Sequence, residues 1–439
     1  MKEFWFITYN FLFLPIFWAV TRLLSLFNKK IREGYKQRKH LFLELKEKSG
    51  ELDSTKKNIL IHCSSLGEFE QAKPILDQLD KMNKYNFIIS FFSPSGFNYS
   101  KLDSTLQSKI LKTYLPFDWF HNSNKFIDII KPDTVIFIKY DLWFNLLYIL
   151  RLKSAFTMLV NASRNVSSFK WKFFPTRSYL KTVYRFLDVI SCVNEDDKSK
   201  YKALLNGTVD IENFGDTKYE RIYKAKEISM TKSLLNNDIL ADKNVFVIGS
   251  SQDRDNEILF PVLDKISSHS NGFQNNLISI LAPHEPTEDN LEQIEDCIQK
   301  NYPHLKTIRY SSLKNFKNEN IILIDCIGIL MTMYKYADVA YVGGGLHSGL
   351  HNVLEPAGYG IPVLFGGEKI SDDAKLLINK GGGLLVNNIK SLYKRLTKLL
   401  NKEEEREKIG LKSFSVFETK YEASNKIASL INNVSIKQE

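Results

Sequence analysis

From residue 58 onward, short unbroken apolar runs alternate with longer segments whose apolar residues recur at helical spacing. Runs at 58–63, 87–92, 134–138, 156–160 and 187–193 are too short for helices. They are also too continuous for strands that face water on one side, so they read as strands buried on both faces. Between them, segments such as 68–79 carry helical periodicity. The alternation pauses over the polar, lysine-rich stretch 215–237. It then resumes with runs at 244–249, 277–281, 321–324, 337–342 and 361–365. A strand, a helix-length crossover and another buried strand make a right-handed βαβ unit, and repetition of that unit makes a parallel sheet. The pattern predicts an α/β protein with two doubly wound, Rossmann-like domains, at 50–218 and 232–401, joined near residue 220. A charged helical segment, 402–439, follows. Open parallel sheets bind ligands beyond the carboxyl ends of their strands, at the switch point. Two such sheets facing each other would gather both sets of loops in a central cleft.

The densest loop is the stretch 342–364, where a β-branched run enters Gly343-Gly344-Gly345 and continues through Ser348, Gly349, His351, Asn352 and Glu355. Glycines permit positive φ and let a ligand approach the backbone. Asn352 can cap a short helix carrying Leu354 and Glu355, which Gly360-Ile361-Pro362 ends. Strand, glycine loop and helix N-terminus together predict an anion site. Glu355 would accept hydrogen bonds from a sugar. The competing reading is a plain glycine turn between two buried strands; His351, Asn352 and Glu355 beside the glycines favour a phosphate-sugar site.

The first forty residues follow another pattern. Residues 4–27 are almost wholly apolar and aromatic, broken by Asn10, Pro15, Thr21 and Arg22, and Lys29, Lys30, Arg32, Lys36, Arg38 and Lys39 follow at once. The order of charge and apolar core is wrong for a cleaved signal peptide. Length suffices for one membrane span, with the basic flank keeping the rest cytoplasmic. Arg22 and Pro15 leave a helix lying in the interface as the alternative. Residues 1–40 therefore read as a membrane anchor and basic flank, and residues 1–39 as removable from the folded domains.

Hydrophobic content of 44% is enough for full cores, and the net charge of +10 is spread along the chain, so no nucleic-acid module follows from it. Anionic lipids or phosphorylated substrates suit that excess. Cys63, Cys192, Cys297 and Cys326 are isolated, without metal or disulfide spacing, and read as reduced core residues.

Polar groups cluster where strands end: Ser64, Ser65, Gly67 and Glu68; Lys139 and Asp141; Asn161 and Arg164; Gly215, Asp216 and Lys218; Ser250 and Ser251; Pro283 and His284; and the glycine stretch. Glu68 fits two roles, a helix cap and a general base in a cleft. His62 reads as a satisfied half-buried histidine, Asp141 equally as a cap, and Trp143 as core. Lys218 has no evident partner in sequence, which favours a ligand phosphate. No metal motif, HExxH, Walker loop or nucleophile elbow is found.

These blocks together resemble the Kdo transferases, GT-B-fold glycosyltransferases that attach 3-deoxy-D-manno-octulosonic acid (Kdo) to a lipid A precursor. His62-Cys63-Ser64-Ser65-Leu66-Gly67-Glu68 is similar to the family's H-A-x-S-x-G-E block, whose glutamate is the catalytic base. Asp141-Leu142-Trp143-Phe144-Asn145 is similar to its E-L-W-P-N block. Asn161-Ala162, Gly215-Asp216-Thr217-Lys218 and Gly249-Ser250-Ser251 fall at intervening motifs. The stretch 343–363 resembles its G-G-H-N-P-L-E-P-A block, which holds the CMP of the donor. Departures are Lys139 where an acid is usual, Asp141 for glutamate, Ser163 before Arg164 where an arginine follows Asn-Ala, His284-Glu285-Pro286 for R-H-P, and Ile329 for glutamate.

The resemblance implies inverting transfer of Kdo from CMP-Kdo to a lipid A precursor at the cytoplasmic face of the inner membrane, without cofactor or metal. Glu68 would be the base, with Ser65, Gly67, Lys139, Asp141 and Arg164 on the acceptor side. Lys218, Ser250, Ser251, Pro283, His284, Gly344, Gly345, Ser348, Gly349, His351, Asn352 and Glu355 would hold the donor. The alternatives are another GT-B sugar-nucleotide enzyme (a lipid A disaccharide synthase or a 2-epimerase) and a non-catalytic membrane-bound sensor. Partners would be CMP-Kdo, the lipid acceptor and membrane lipids; the oligomeric state is not legible.

Overall fold

Strands β1 (Lys57–Cys63), β2 (Tyr85–Phe91), β3 (Ile110–Tyr114), β4 (Thr134–Ile138), β5 (Phe156–Ala162), β6 (Val189–Cys192) and β7 (Asp210–Asn213) pair in parallel, in the order β3-β2-β1-β4-β5-β6-β7. A second parallel sheet contains β8 (Asn244–Ser251), β9 (Leu277–Pro283), β10 (Thr307–Arg309), β11 (Ile321–Leu323), β12 (Val339–Val342), β13 (Val363–Phe365) and β14 (Gly383–Leu385). Its order is β10-β11-β9-β8-β12-β13-β14. The computed structural model describes residues 1–102, 106–163, 173–268, 277–347, 349–368, 370–417 and 422–437. Both sheets are doubly wound, the α/β architecture of the GT-B type that the sequence predicts.

The chain divides into two units, Met1–Arg221 with Lys420–Glu439, and Ile222–Thr419. The closing segment 402–439, expected as one piece, is split: helix Glu403–Phe414 belongs to the second unit and helix Ala423–Lys437 to the first.

In the first unit, successive strand residues feed opposite cores, as the period of two dictates. Leu60, Val135, Phe137 and Leu159 face a core with Phe126, Ile127 and Leu147. Ile59, Ile61, Ile136 and Val160 face another with Phe69, Ile75, Ile427 and Ile431. Cys63 and Cys192 are buried as expected, whereas Cys297 is half-buried and Cys326 exposed.

The apolar segment is helical from Lys2 to Phe27, with a π turn at Tyr9–Phe13 just ahead of Pro15, whose missing N–H cannot serve the preceding turn. It is docked onto the first unit. Tyr9 is 3% exposed and donates its hydroxyl to Asp118 (2.9 Å). Asn10 and Asn145 exchange amide bonds at 2.9 and 2.7 Å, and the Trp5 indole reaches Ser178 at 3.1 Å. Arg38 donates to the carbonyls of Leu115, Gly34 and Phe92 at 2.8, 2.9 and 2.6 Å. Residues 1–39 are thus part of the folded unit and not the detachable leader expected, since their removal would strip Asp118, Asn145 and the core around Leu14 of their partners. Tyr9→Phe, which takes one donor from the buried Asp118, is expected to cost about 1–2 kcal/mol in chemical denaturation.

Candidate active site

The order of the first sheet reverses between β1 and β4, so the turns after these two strands frame its switch point. After β1, Ser65 begins the helix Leu66–Asp80, and Glu68 turns back to the amides of the preceding turn in a capping box. Both bonds, from the amides of Ser64 and of Ser65 (3.3 Å), end on Oε2. Among the described residues Oε1 takes no part in the cap. Glu68 therefore fills the capping role and keeps one oxygen for another.

Burial raises the pKa of Glu68. The Ser64 amide opposes that shift and the charge of Asp141 adds to it. Asp141, on the turn after β4, is shifted the other way: burial alone would raise it, but the bond and charge of His62, together with hydrogen bonds from Trp143 and Ser64, hold it below the usual carboxylate value. His62, read as half-buried, is 1% exposed, and its ring joins Ser90 Oγ and Asp141 Oδ2, each at 2.9 Å. An ionised carboxylate can only accept, so Nε2 carries the proton facing Asp141. Two neighbouring carboxylates driven apart in acidity are the arrangement that divides acid and base roles.

Lys139 adopts a left-handed φ of +68°, strained for a lysine, as the chain leaves β4. At Gly67 a Cβ would have only Ser65 Oγ near it, at 4.0 Å, so packing does not demand that glycine. Asn161, at φ +57°, clasps Thr217 through its amide (2.8 Å) and its carbonyl (3.1 Å). Lys218 lies in this first unit and pairs with Asp216 at 3.2 Å, which corrects the expectation of an unpartnered lysine reserved for phosphate. Arg164 falls outside the described residues.

In the second unit the order reverses between β8 and β12, and the glycine stretch leaves β12 at that point. Here the glycines have a structural cause. A Cβ on Gly343 would lie 2.2 Å from the Ser250 carbonyl oxygen, and one on Gly345 would lie 2.3 Å from that of Gly366. Gly344 combines φ +90° with a Cβ position 2.4 Å from the Gly349 carbonyl oxygen. Three loops pack backbone to backbone, so at these positions close loop packing demands glycine, where the sequence suggested ligand approach. Gly349, at φ +122°, has open space around it.

The helix expected at Asn352 is the four-residue turn Leu354–Ala357, with Val353 at its N-cap. So short a turn sums few peptide dipoles, which corrects the helix-terminus anion site. Asn352 does hold local order, accepting from the Leu354 amide (3.2 Å) and donating to Glu355 Oε1 (3.0 Å). His351 packs its ring on His284, centroids 4.4 Å apart, and meets the Gln252 amide at 3.3 Å. Burial and His284 lower its pKa, so it is held neutral. Ser250 sits at φ +55°, and the hydroxyl of buried Ser251 has no hydrogen-bond partner among the described residues. Pro283 closes β9, and the His284 amide bonds the Ser251 carbonyl at 3.0 Å. Ser348 lies outside the described residues.

Asp255 was not singled out in sequence. It is 1% exposed and binds the Gly344 amide (2.9 Å), the Gln252 amide (3.0 Å) and the Tyr341 hydroxyl (2.7 Å). Only its place three residues after Gln252, at a helix start, hinted at it.

Two doubly wound units with titratable loops at both switch points define an architecture of the GT-B type. Residues 35–221 match the model of the 3-deoxy-D-manno-octulosonic-acid transferase (kdotransferase) family. A 3-deoxy-D-manno-octulosonic acid transferase of Haemophilus influenzae is 27% identical over 82% of this chain and 82% of its own. One from Aquifex aeolicus is 26% identical over 81% and 89%. A bifunctional glycosyltransferase/methyltransferase of Fusobacterium nucleatum is 28% identical over 80% of this chain, which spans only 54% of that relative. Over about four fifths of its length the chain is similar to Kdo transferases, and it is a glycosyltransferase. In fold it is similar to the UDP-GlcNAc 2-epimerase of Neisseria meningitidis, with a TM-score of 0.56 at 13% identity over 86% of this chain and 100% of that one. The UDP-GlcNAc 2-epimerase of Methanocaldococcus jannaschii gives 0.52 at 15% identity over 82% and 98%.

Proposed function

We propose that the protein transfers Kdo from CMP-Kdo to a lipid A precursor, with inversion, by a single displacement. The observation that carries the mechanism is Glu68, whose Oε2 is spent on its helix cap while Oε1 is left to take a proton. A hydroxyl attacking an anomeric carbon must lose its proton as the bond forms. A carboxylate with a raised pKa is a stronger base than an ordinary one. Asp141, kept ionised by its hydrogen bonds and by His62, holds Glu68 in that state without competing for the proton. In the second unit the glycine stretch, Ser250, Ser251, His284, His351, Asn352 and Glu355 would bind the nucleotide. The departing CMP bears a single phosphate, so hydrogen bonds can balance its charge without a metal. The apolar first segment supports placement at the inner membrane with both units cytoplasmic.

The test is incubation of the full chain with CMP-Kdo and a tetra-acylated lipid A precursor, read as lipid mass and CMP release. A lipid heavier by one or more Kdo residues is expected. Unchanged lipid with no CMP released would overturn the assignment.

A further inference from the structure

We propose that the groove between helices Asp253–Ser267 and Glu288–Asn301 of the second unit binds a small protonated amine with a compact apolar body. These helices follow the neighbouring strands β8 and β9, and both pack on one core through Leu259, Leu263, Leu291 and Ile298. Asp253, Asn256, Glu257 and Phe260 recur at helical spacing and so share a face. Asn290, Gln293, Ile294 and Cys297 repeat that spacing on the second helix. With Tyr302 they line a cavity of about 230 Å³. That is room for roughly eight waters at ~30 Å³ each, and it falls below the roughly 300–1,000 Å³ of sites for drug-sized ligands. A sugar nucleotide is too large for it. Asp255, which holds the glycine stretch through the Gly344 amide, does not line it. The cavity is therefore separate from the candidate donor loops.

One side chain lining this cavity lacks a partner. Asn256 is 8% exposed, yet its Oδ1 accepts no hydrogen bond among the described residues. Native structures retain few buried polar atoms in that condition. Asn290 spends an amide N–H on the Glu285 carbonyl at 2.7 Å, and its own oxygen accepts nothing among the described residues. Asp253 and Glu257 stand exposed beside these acceptors. Among the described residues neither forms an ion pair, and no lysine or arginine lines the cavity. The site offers acceptors and negative charge but no cation. An ammonium group carries three donors and no acceptor, which matches that set, whereas an anion would be repelled by both carboxylates. The floor is apolar. Phe260 and Tyr302 meet edge to face with centroids 5.8 Å apart, and Ile294 and Cys297 lie beside them in the same lining. Such a floor takes an apolar body, and its rings attract a neighbouring cation. A bare metal ion would leave it unused.

Cys297 supplies a reporter inside the cavity, because Cys63 and Cys192 are buried and the exposed Cys326 can be removed. The experiment uses the full chain carrying Cys326→Ser, with phenethylammonium as the probe, and neither turnover nor CMP enters it. Alkylation of Cys297 by iodoacetamide is followed by mass spectrometry, and uptake of labelled amine by equilibrium dialysis. Saturating phenethylammonium is expected to slow the alkylation at least about 10-fold, with one amine taken up per chain. Phenethyl alcohol, which keeps the body without the charge, should protect far less, and phenylacetate not at all. Asp253→Asn with Glu257→Gln should abolish both protection and uptake while the protein melts as the parent does. Asn256→Leu, similar in size but without the acceptor, should weaken both. Equal protection by amine, alcohol and carboxylate, or by calcium chloride alone, would overturn the ligand class. Absence of saturable uptake by the parent, or uptake unchanged in the double variant, would overturn the site.

Discussion

Glu68→Gln is expected to leave the fold and nucleotide affinity close to those of the parent while turnover falls roughly 10²–10⁴-fold. The geometry makes this substitution discriminating. Both capping amides converge on Oε2, so a glutamine oxygen can accept both and the helix start survives. If Glu68 did nothing else, the change would cost on the order of 0.5–1 kcal/mol and little activity. The amide cannot take a proton, however, and as the base it would be missing. The pH profile gives a second reading. Burial raises the Glu68 carboxyl, and a base must be ionised, so turnover should rise with pH through a value above that of an ordinary carboxylate. Asp141→Asn removes a charge that pushes Glu68 up, and its rising limb should therefore move to lower pH. Transfer by the Gln variant within a few-fold of the parent would show that the cap is the whole role of Glu68.

Asp255→Ala is expected to cost about 3–5 kcal/mol of stability in the second unit, since three buried donors lose their acceptor at once. Two of these donors belong to the loops that leave β8 and β12, so the loss should also loosen the nucleotide loops. Asp255→Asn keeps an acceptor oxygen and should fall between parent and alanine. Thermal unfolding read beside CMP calorimetry measures both effects. Parent-like melting of the alanine variant would mean that the two loops hold their arrangement without this carboxylate.

The strands that were legible and those that were not divide on a physical line. Every strand read from the apolar runs lies inside a sheet, where both faces are covered and the sequence is continuously apolar. The four that were missed, β3, β7, β10 and β14, are the outermost strands of the two sheets. Ile-Leu-Lys-Thr-Tyr, Asp-Ile-Glu-Asn, Thr-Ile-Arg and Gly-Leu-Leu are partly exposed and have no unbroken apolar run to recognise. Candidate chemistry divided similarly. Glu68, Asp141 and the glycine stretch stand next to strand ends and could be found from order along the chain. Bonds between distant segments could not: His62 to Asp141, Tyr9 to Asp118, and Asp255 to Gly344. Lys218 was misjudged for the opposite reason. Its partner, Asp216, was two residues away, but a salt bridge at that separation depends on the local turn and not on spacing.

Helix Ala423–Lys437 returns to the first unit after the second is complete, and its Ile427, Ala428 and Ile431 close the core over Ile59, Ile61 and Phe69. Ser424 bonds Glu220 beside the crossing point, and Lys57 reaches the Ser435 carbonyl at 2.5 Å. The second unit is thus topologically an insertion within the first. During synthesis the ribosome delivers every strand of both sheets before it delivers that helix. The second unit can finish folding while one face of the earlier sheet, covered by helix Leu66–Asp80, still lacks its last helix, so order of emergence and order of completion are reversed for the two halves of this chain.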